Sequence, residues 1–319
     1  MAKILITPRS LTSSRGRELA ALSSAGFDLV FSSPGRQPNE GELLSLVPGC
    51  VGWLAGIEPI TVKVLAAADS LKVISRNGTG IDSIDLDAAR QRGIKVFTTP
   101  GANAAAVAEL TLALMIAGFR HLPESAAALK EGRWHRLEGR EVGAATIGLI
   151  GCGAVGRAVA RAVSALGATV LAYDLEPDMS FRPSPRFLWT ELDQLLSASN
   201  VVSLHCPASM NASPLLNRRR IRLLGPGAGV INTARASLVD EEALLEALND
   251  QRIAWYATDV FAVEPPPGSA LLSHENVVAT PHIGGFTAEG GRRAVRLAIE
   301  NLLGGLGAAT IDRRAEIAI

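Results

Sequence analysis

Residues 146–160 read Thr-Ile-Gly-Leu-Ile-Gly-Cys-Gly-Ala-Val-Gly-Arg-Ala-Val-Ala, and this stretch restricts the fold more than any other in the chain. The apolar, β-forming run Ile147 to Ile150 stops at a Gly-x-Gly-x-x-Gly turn, and an alanine-rich helical pattern follows to about Leu166. Strand, tight turn and helix in that order make a site for a pyrophosphate. Gly151 allows the turn, Gly153 lets backbone approach the anion, and Gly156 lets helix pack on strand. The first N–H groups of the helix, from Ala154 and Val155 onward, point at the ligand. A second apolar run, Ala168 to Tyr173, ends in Asp174. An acid there, roughly 20 residues beyond the glycines, is placed to accept hydrogen bonds from the 2′-hydroxyl of an adenosine ribose. Dinucleotide binding is the expectation, and NAD rather than NADP, because Asp174 would repel a 2′-phosphate and Leu175, Glu176 and Pro177 bring no arginine to offset it.

A chain of 319 residues is long for one domain, so two are expected. Before Asp174 and after it, short apolar strands alternate with helical patterns, which calls for parallel sheets covered on both faces. Strands are expected at 3–6, 27–31, 51–55, 71–75 and 95–98, with helices at 13–25, 40–47, 62–68 and 86–91 between them. Pro100-Gly101 marks a boundary. Beyond it, Asn103 precedes a helix, 104–119, that is apolar nearly all round and must be buried, either between domains or against a second subunit. A further amphipathic helix is expected at 125–134. A second doubly wound sheet then uses strands at 147–150, 168–173, 201–205, 229–233, 253–260 and 277–280. The tail 287–303 reads as a helix crossing back. The expected division is 1–99 with 286–319, and 100–285.

Composition removes several function classes. Lys plus Arg and Asp plus Glu both number 31, so the net charge is zero and there is no basic field for a phosphate backbone; nucleic acid is not an expected partner. The three cysteines, Cys50, Cys152 and Cys206, lie in or beside separate apolar runs, as reduced buried thiols do, with neither disulfide nor metal spacing; a cytosolic setting is expected. No signal peptide or membrane span is indicated, since the longest apolar segment, 102–119, is broken by Asn103, Glu109 and Thr111.

Three segments each place a charged or titratable residue just past a strand of the second sheet: Arg235 in Ala-Arg-Ala, Glu264 before the Pro265-Pro-Pro267 tract, and His282 in Pro-His-Ile-Gly-Gly. Strand C-terminal ends in such a sheet border the ligand crevice, so all three should face the nicotinamide end of a dinucleotide. An arginine offers a planar fork for a carboxylate, and a histidine exchanges a proton near neutral pH while a neighbouring glutamate fixes its ring. Carboxylate clamp, proton donor and hydride source together describe interconversion of a 2-hydroxy acid and a 2-keto acid. In the first unit, Arg76 to Asp85 holds two glycines after a strand, with Asp85 as a helix N-cap, and forms a backbone-rich turn suited to a carboxylate or a plain glycine loop. His205 also follows a strand of the second sheet and reads as structural.

These residues also resemble a known family. Gly151 to Gly156 with Asp174, Asn232 to Asp240, Asp259 to Pro265 and Thr280 to Gly285 are similar to the signature segments of the NAD-dependent D-2-hydroxyacid dehydrogenases, nearest to the phosphoglycerate dehydrogenase branch. The resemblance spans essentially the whole chain. It implies a flavodoxin-like substrate domain made of both chain ends, an inserted Rossmann domain, and a homodimer through the 103–119 helix. It further implies His282 as general acid/base, Glu264 as its partner and Arg235 as the carboxylate clamp. Backbone at Asn77 and Gly78 would hold the carboxylate's other side. Thr233 would belong to the cofactor site, and Asp259 would contact the nicotinamide carboxamide. The Glu264 and His282 pair argues against the formate dehydrogenase branch, which has Gln in place of the Glu.

The sequence also departs from that branch. Phosphoglycerate dehydrogenases usually carry a basic residue just after the strand corresponding to Val51 to Leu54; here Glu58 stands about there, with no Lys or Arg in 54–59. A dianionic phosphate needs a cation to offset its desolvation, so the expected substrate is a small unphosphorylated acid, with 3-phosphoglycerate as the alternative should Arg76 or the other subunit supply the charge. Ending at Ile319, the chain is not expected to carry the serine-sensing regulatory domain of many relatives. A second function class is a dinucleotide-responsive binding protein like the corepressors related to this family. The absence of a polar tail or basic patch for recruitment favours the enzyme.

Overall fold

The computed structural model describes residues 1–14, 16–208, 213–308 and 315–317. They divide into two compact units, residues 1–103 with 288–319, and residues 104–287. In unit 1 the elements are β1 (Ala2–Ile6), α1 (Arg9–Ser14), α2 (Ala20–Ser24), β2 (Phe27–Phe31), α3 (Glu40–Leu46), β3 (Cys50–Ala55), α4 (Val62–Ala67), β4 (Val73–Arg76), α5 (Leu86–Gln91) and β5 (Lys95–Phe97). Unit 2 contains α6 (Ala104–Phe119), α7 (Leu122–Lys130), β6 (Thr146–Ile150), α8 (Ala154–Ala165), β7 (Thr169–Tyr173), β8 (Phe187–Trp189), α9 (Leu192–Ala198), β9 (Val201–Leu204), α10 (Arg218–Ile221), β10 (Ala228–Asn232), α11 (Glu241–Asn249), β11 (Ile253–Thr258) and β12 (Val277–Ala279). The chain re-enters unit 1 as α12 (Ala288–Gly305).

The five strands of unit 1 are parallel in the order β2-β1-β3-β4-β5. Strand alternation assigns side chains to faces: Leu5 joins the core under α3, α4 and α5, while Ile4 and Ile6 join the core under α1, α2 and α12. The end of α12 is fastened to this sheet by Ser75 Oγ donating to the Ala298 carbonyl (2.7 Å) and Asn301 Nδ2 donating to the Thr98 carbonyl (2.8 Å). Helix starts follow their capping residues: Asn39, Thr61 and Asp85 each accept a backbone N–H from the first turn, and Asn217 and Asp240 do the same in unit 2. Each such cap contributes about 1 kcal/mol.

Unit 2 has seven parallel strands in the order β12-β11-β10-β9-β6-β7-β8. The chain leaves β6 toward β7 and β8, then returns to β9 on its other side, so β6 and β9 flank the switch point where such sheets take ligands. One face packs under α6 and α8, the other under α9, α10 and α11. Trp255 on β11 lies against Gly118 of α6 and Gly229 of β10, and at either position a Cβ would run into its ring. Helix α6 thus spends its apolar surface mainly on its own unit, with Leu114, Met115 and Phe119 in the core. Among the described residues no single helix is long and apolar enough to cross a membrane; α6 and α7 meet at 63°.

Several elements differ from the sequence expectation. The helix expected at 13–25 is split into α1, a 3₁₀ turn at Arg17–Leu19 and α2, because Gly16 is extended (φ −47°, ψ 152°). The amphipathic helix starts at Leu122 rather than 125, with Pro123 in its first turn, and ends before Gly132, whose φ is +77°. Edge strand β8 was not expected; its three residues pair only with β7 and are too short to show a period.

Candidate active site

The glycine turn after β6 is built as its sequence requires. Gly151 has φ +90°, and a Cβ there would stand 2.6 Å from Cys206 N; at Gly156 a Cβ would run into the Gly151 carbonyl oxygen. Around Gly153 a Cβ would meet nothing within 4 Å, so this is where backbone lies open to a ligand. Gly153 caps α8 without any side-chain hydrogen bond, leaving the first N–H groups of that helix, at Ala154 and Val155, for an anion. Asp174, just past β7, accepts from Cys152 N at 2.7 Å and from Glu176 N at 3.2 Å, which draws the acid to the turn. Open glycine, uncapped helix and adjacent acid fit a dinucleotide.

Across the sheet, the ends of β10, β11 and β12 carry the other residues. Thr233 shares a hydroxyl hydrogen bond with Thr111 of α6 (3.0 Å), and Thr111 is fully buried. Arg235 is partly buried; its Nη1 donates to the Ala234 carbonyl at 2.7 Å. The structure brings His282 and Glu264 into contact: His282 Nδ1 lies 2.8 Å and 2.7 Å from the two carboxylate oxygens. A carboxylate oxygen accepts here, so the hydrogen between the two groups sits on Nδ1, and Nε2 is the ring nitrogen outside the pair. Both side chains remain partly open, 51% and 39% exposed.

His282 is held in the left-handed region, φ +52°, which a non-glycine residue adopts at some cost and which clusters at functional sites. What over-determines it is Asp259. That carboxylate, 2% exposed, accepts from Thr280 Oγ1 (2.6 Å) and Ile283 N (2.8 Å) through one oxygen and from Gly284 N (2.7 Å) through the other. Asp259 is therefore first of all the clamp on the 280–284 segment, a role the sequence did not show.

One expectation in unit 1 needs correction. The N–H of Asn77 donates to the Ala55 carbonyl (2.8 Å) and that of Gly78 to the Arg76 carbonyl (2.9 Å), so neither is left for a carboxylate. The N–H groups of Thr79 and Gly80 have no partner among the described residues. Glu58, the acid standing about where relatives carry a basic residue, is turned inward: it is 1% exposed, accepts from Gly56 N at 2.9 Å and pairs with the Thr7 hydroxyl, which in turn accepts from Trp53 Nε1 (2.9 Å). Arg76 lies folded over Gly78, its Nη1 donating to the Asn77 carbonyl at 2.6 Å.

His205 is structural in its contacts. One ring nitrogen, Nε2, meets Ser203 Oγ at 2.9 Å, the other is shielded without a partner, and burial pushes its pKa down to about 4. The cysteines divide among cores: Cys50 lies under the unit 1 sheet, Cys152 on the α8 side of the second sheet, and Cys206 packs on the opposite face. Burial raises all three thiols, Cys152 to about 11. Among the described residues no group of three His, Cys, Asp or Glu gathers as a metal site.

Comparison with known proteins agrees with this geometry. Residues 112–284 match the family model for the D-isomer specific 2-hydroxyacid dehydrogenase, NAD binding domain. The chain is 39% identical over 272 residues to hydroxypyruvate reductase of Thermotoga maritima, covering 83% of this chain and 88% of that protein. It is 36% identical over 253 residues to D-3-phosphoglycerate dehydrogenase of Pongo abelii, covering 78% of this chain but only 47% of that longer protein. The solved structure of the TT0316 protein from Thermus thermophilus is similar at a TM-score of 0.85 and 37% identity, covering 96% of this chain and 97% of that one. The chain belongs to the NAD-dependent D-2-hydroxyacid dehydrogenases.

Proposed function

We propose that the protein reduces a small, unphosphorylated 2-keto acid to the D-2-hydroxy acid, with hydroxypyruvate and glyoxylate as first candidates. The observation that carries the reading is the His282 and Glu264 pair at the end of β12 and β11, on the sheet that also carries the dinucleotide turn. The bound nicotinamide supplies the hydride, with Gly151, Gly153, Ala154, Val155, Gly156 and Thr233 lining its site and Asp174 excluding a 2′-phosphate. Asp259 serves there through its hold on the 280–284 segment. Arg235 holds the substrate carboxylate and polarises the carbonyl oxygen; a planar fork fits that task better than a point charge. His282 donates the Nε2 proton to that oxygen as the alcohol forms, and Glu264 steadies the imidazolium beforehand. In unit 1 the turn 77–80 is the carboxylate-recognising part, through Thr79 and Gly80 rather than Asn77 and Gly78.

Support for an unphosphorylated substrate is the loop after β3: it offers no cation, and its one acid is buried in a structural contact. The similarity to a hydroxypyruvate reductase points the same way. A homodimer through 103–119 is part of the reading, supported by the partly exposed Leu112 and Ile116 on α6 and by exposed Leu129 on α7 and Trp134. Reduced thiols in three separate cores suit a cytosolic protein.

The test is kcat/KM for a panel of 2-keto acids, followed through NADH absorbance, with NADPH run alongside. Hydroxypyruvate or glyoxylate is expected to exceed phosphohydroxypyruvate, and NADH to exceed NADPH. A higher kcat/KM for phosphohydroxypyruvate than for every unphosphorylated acid would overturn the substrate assignment.

A further inference from the structure

Asn232 is the last residue of β10 and is fully buried. Its side chain spans the turn that follows: Oδ1 accepts from Ala234 N (3.0 Å), and Nδ2 donates to the Arg235 carbonyl (2.8 Å). An amide bonded at both ends to one four-residue turn leaves that turn a single shape, and the turn is the root of the Arg235 side chain. The Asn232 carbonyl is fixed as well, accepting from Asp259 N (3.0 Å) and Thr258 Oγ1 (3.3 Å). Beside the amide lies the phenol of Tyr256, buried on β11 with Asn232 and Thr258 as its polar neighbours; burial pushes its pKa up to about 12, so it stays un-ionised across the working range.

A strand end that merely needed to stop could do so with one capping bond. Here a carboxamide is used in both senses, as acceptor and donor, and only asparagine among side chains of this length does both. We infer that Asn232 is a positioning residue for Arg235: its amide, backed by Tyr256, sets the direction from which the guanidinium meets the substrate carboxylate. The inference rests on the reading of Arg235 as the carboxylate clamp. Bidentate recognition tolerates little angular error, so loosening the turn costs binding of the keto acid while the dinucleotide turn, after β6, is untouched.

The experiment is a double-mutant cycle on the full chain with hydroxypyruvate and NADH, using Asn232→Ala, Arg235→Ala and both together. Asn232→Ala is expected to lower kcat/KM for the keto acid about 10-fold, the loss of one or two orienting hydrogen bonds, with a distinctly smaller change in the Kd for NADH, to whose site Thr233 of the same turn belongs. In the Arg235→Ala background the same change is expected to do nothing further. Tyr256→Phe, which keeps the ring, serves in the same cycle should Asn232→Ala not fold; a smaller loss, again silent without Arg235, is expected. Full additivity in the cycle, or a matching loss of NADH affinity, overturns the inference. If Arg235→Ala itself leaves kcat/KM intact, what has failed is the assignment of Arg235 and not the link from Asn232 to it.

Discussion

At the scale of single residues, identity and environment diverge most at the charged groups. His282 and Glu264 were legible as a pair because their strands are neighbours and their chemistry is complementary, and the contact is there. The backbone groups of Asn77 and Gly78 and the carboxylate of Glu58 take partners that the sequence does not display, some of them far along the chain. Ala55 takes the Asn77 N–H, and Thr7 meets Glu58 across 51 positions. His205 gives this scale its own prediction. Its pKa falls from 6.5 to about 4 on folding, so above pH 6.5 both states are neutral and it contributes no pH dependence. Between pH 6.5 and about 4 the unfolded chain binds a proton that the folded one refuses, and stability falls as pH falls. From pH 7 to pH 5 that amounts to about 2 kcal/mol. Urea unfolding at the two pH values should show a loss in wild type larger by that amount than in His205→Gln; equal losses would mean the ring is not held neutral.

Elements were read with uneven success, and the failures have physical causes. Parallel strands and capped helices stood out because burial on two faces and N-cap chemistry leave strong local signals. The split of 13–25 turned on the single backbone conformation of Gly16, and β8 is held by pairing with β7 rather than by its own pattern. The glycine turn allows a sharp contrast between two substitutions. Gly156→Ala drives a Cβ into the Gly151 carbonyl and should destabilise unit 2 by about 1–3 kcal/mol, seen as a lower denaturation midpoint. Gly153→Ala meets open space, so the midpoint should hold while NADH binding weakens, because the added methyl occupies the approach of the pyrophosphate. Two variants with equal midpoints and equal NADH affinity would deny the turn its role.

For the whole molecule, two parallel α/β sheets were legible from the alternation of strands and helices, while the order of strands within each sheet was not; the units meet the chain at Asn103/Ala104 and Thr287/Ala288. Helix α6 carries the clearest consequence at this scale. Its inner face fills the core of unit 2, yet Leu112 and Ile116 remain partly exposed and Leu129 and Trp134 are 60% and 83% exposed. Exposed apolar side chains on and just beyond this helix suit an interface with a second copy of the chain. Light scattering should give twice the mass of the chain, 33.4 kDa, and Ile116→Glu should shift it toward the monomer; a monomeric wild type would remove the dimer from the account.

The central claim is that His282, oriented by Glu264, passes the proton that accompanies hydride transfer from NADH to a 2-keto acid. The measurement that tests it most directly is the single-turnover rate of NADH oxidation by hydroxypyruvate in wild type and His282→Ala, with NADH affinity measured on the same samples. The variant is expected to react more slowly by about 10² to 10⁴ with NADH bound as tightly as before. A variant that turns over at the wild-type rate in that step would contradict it.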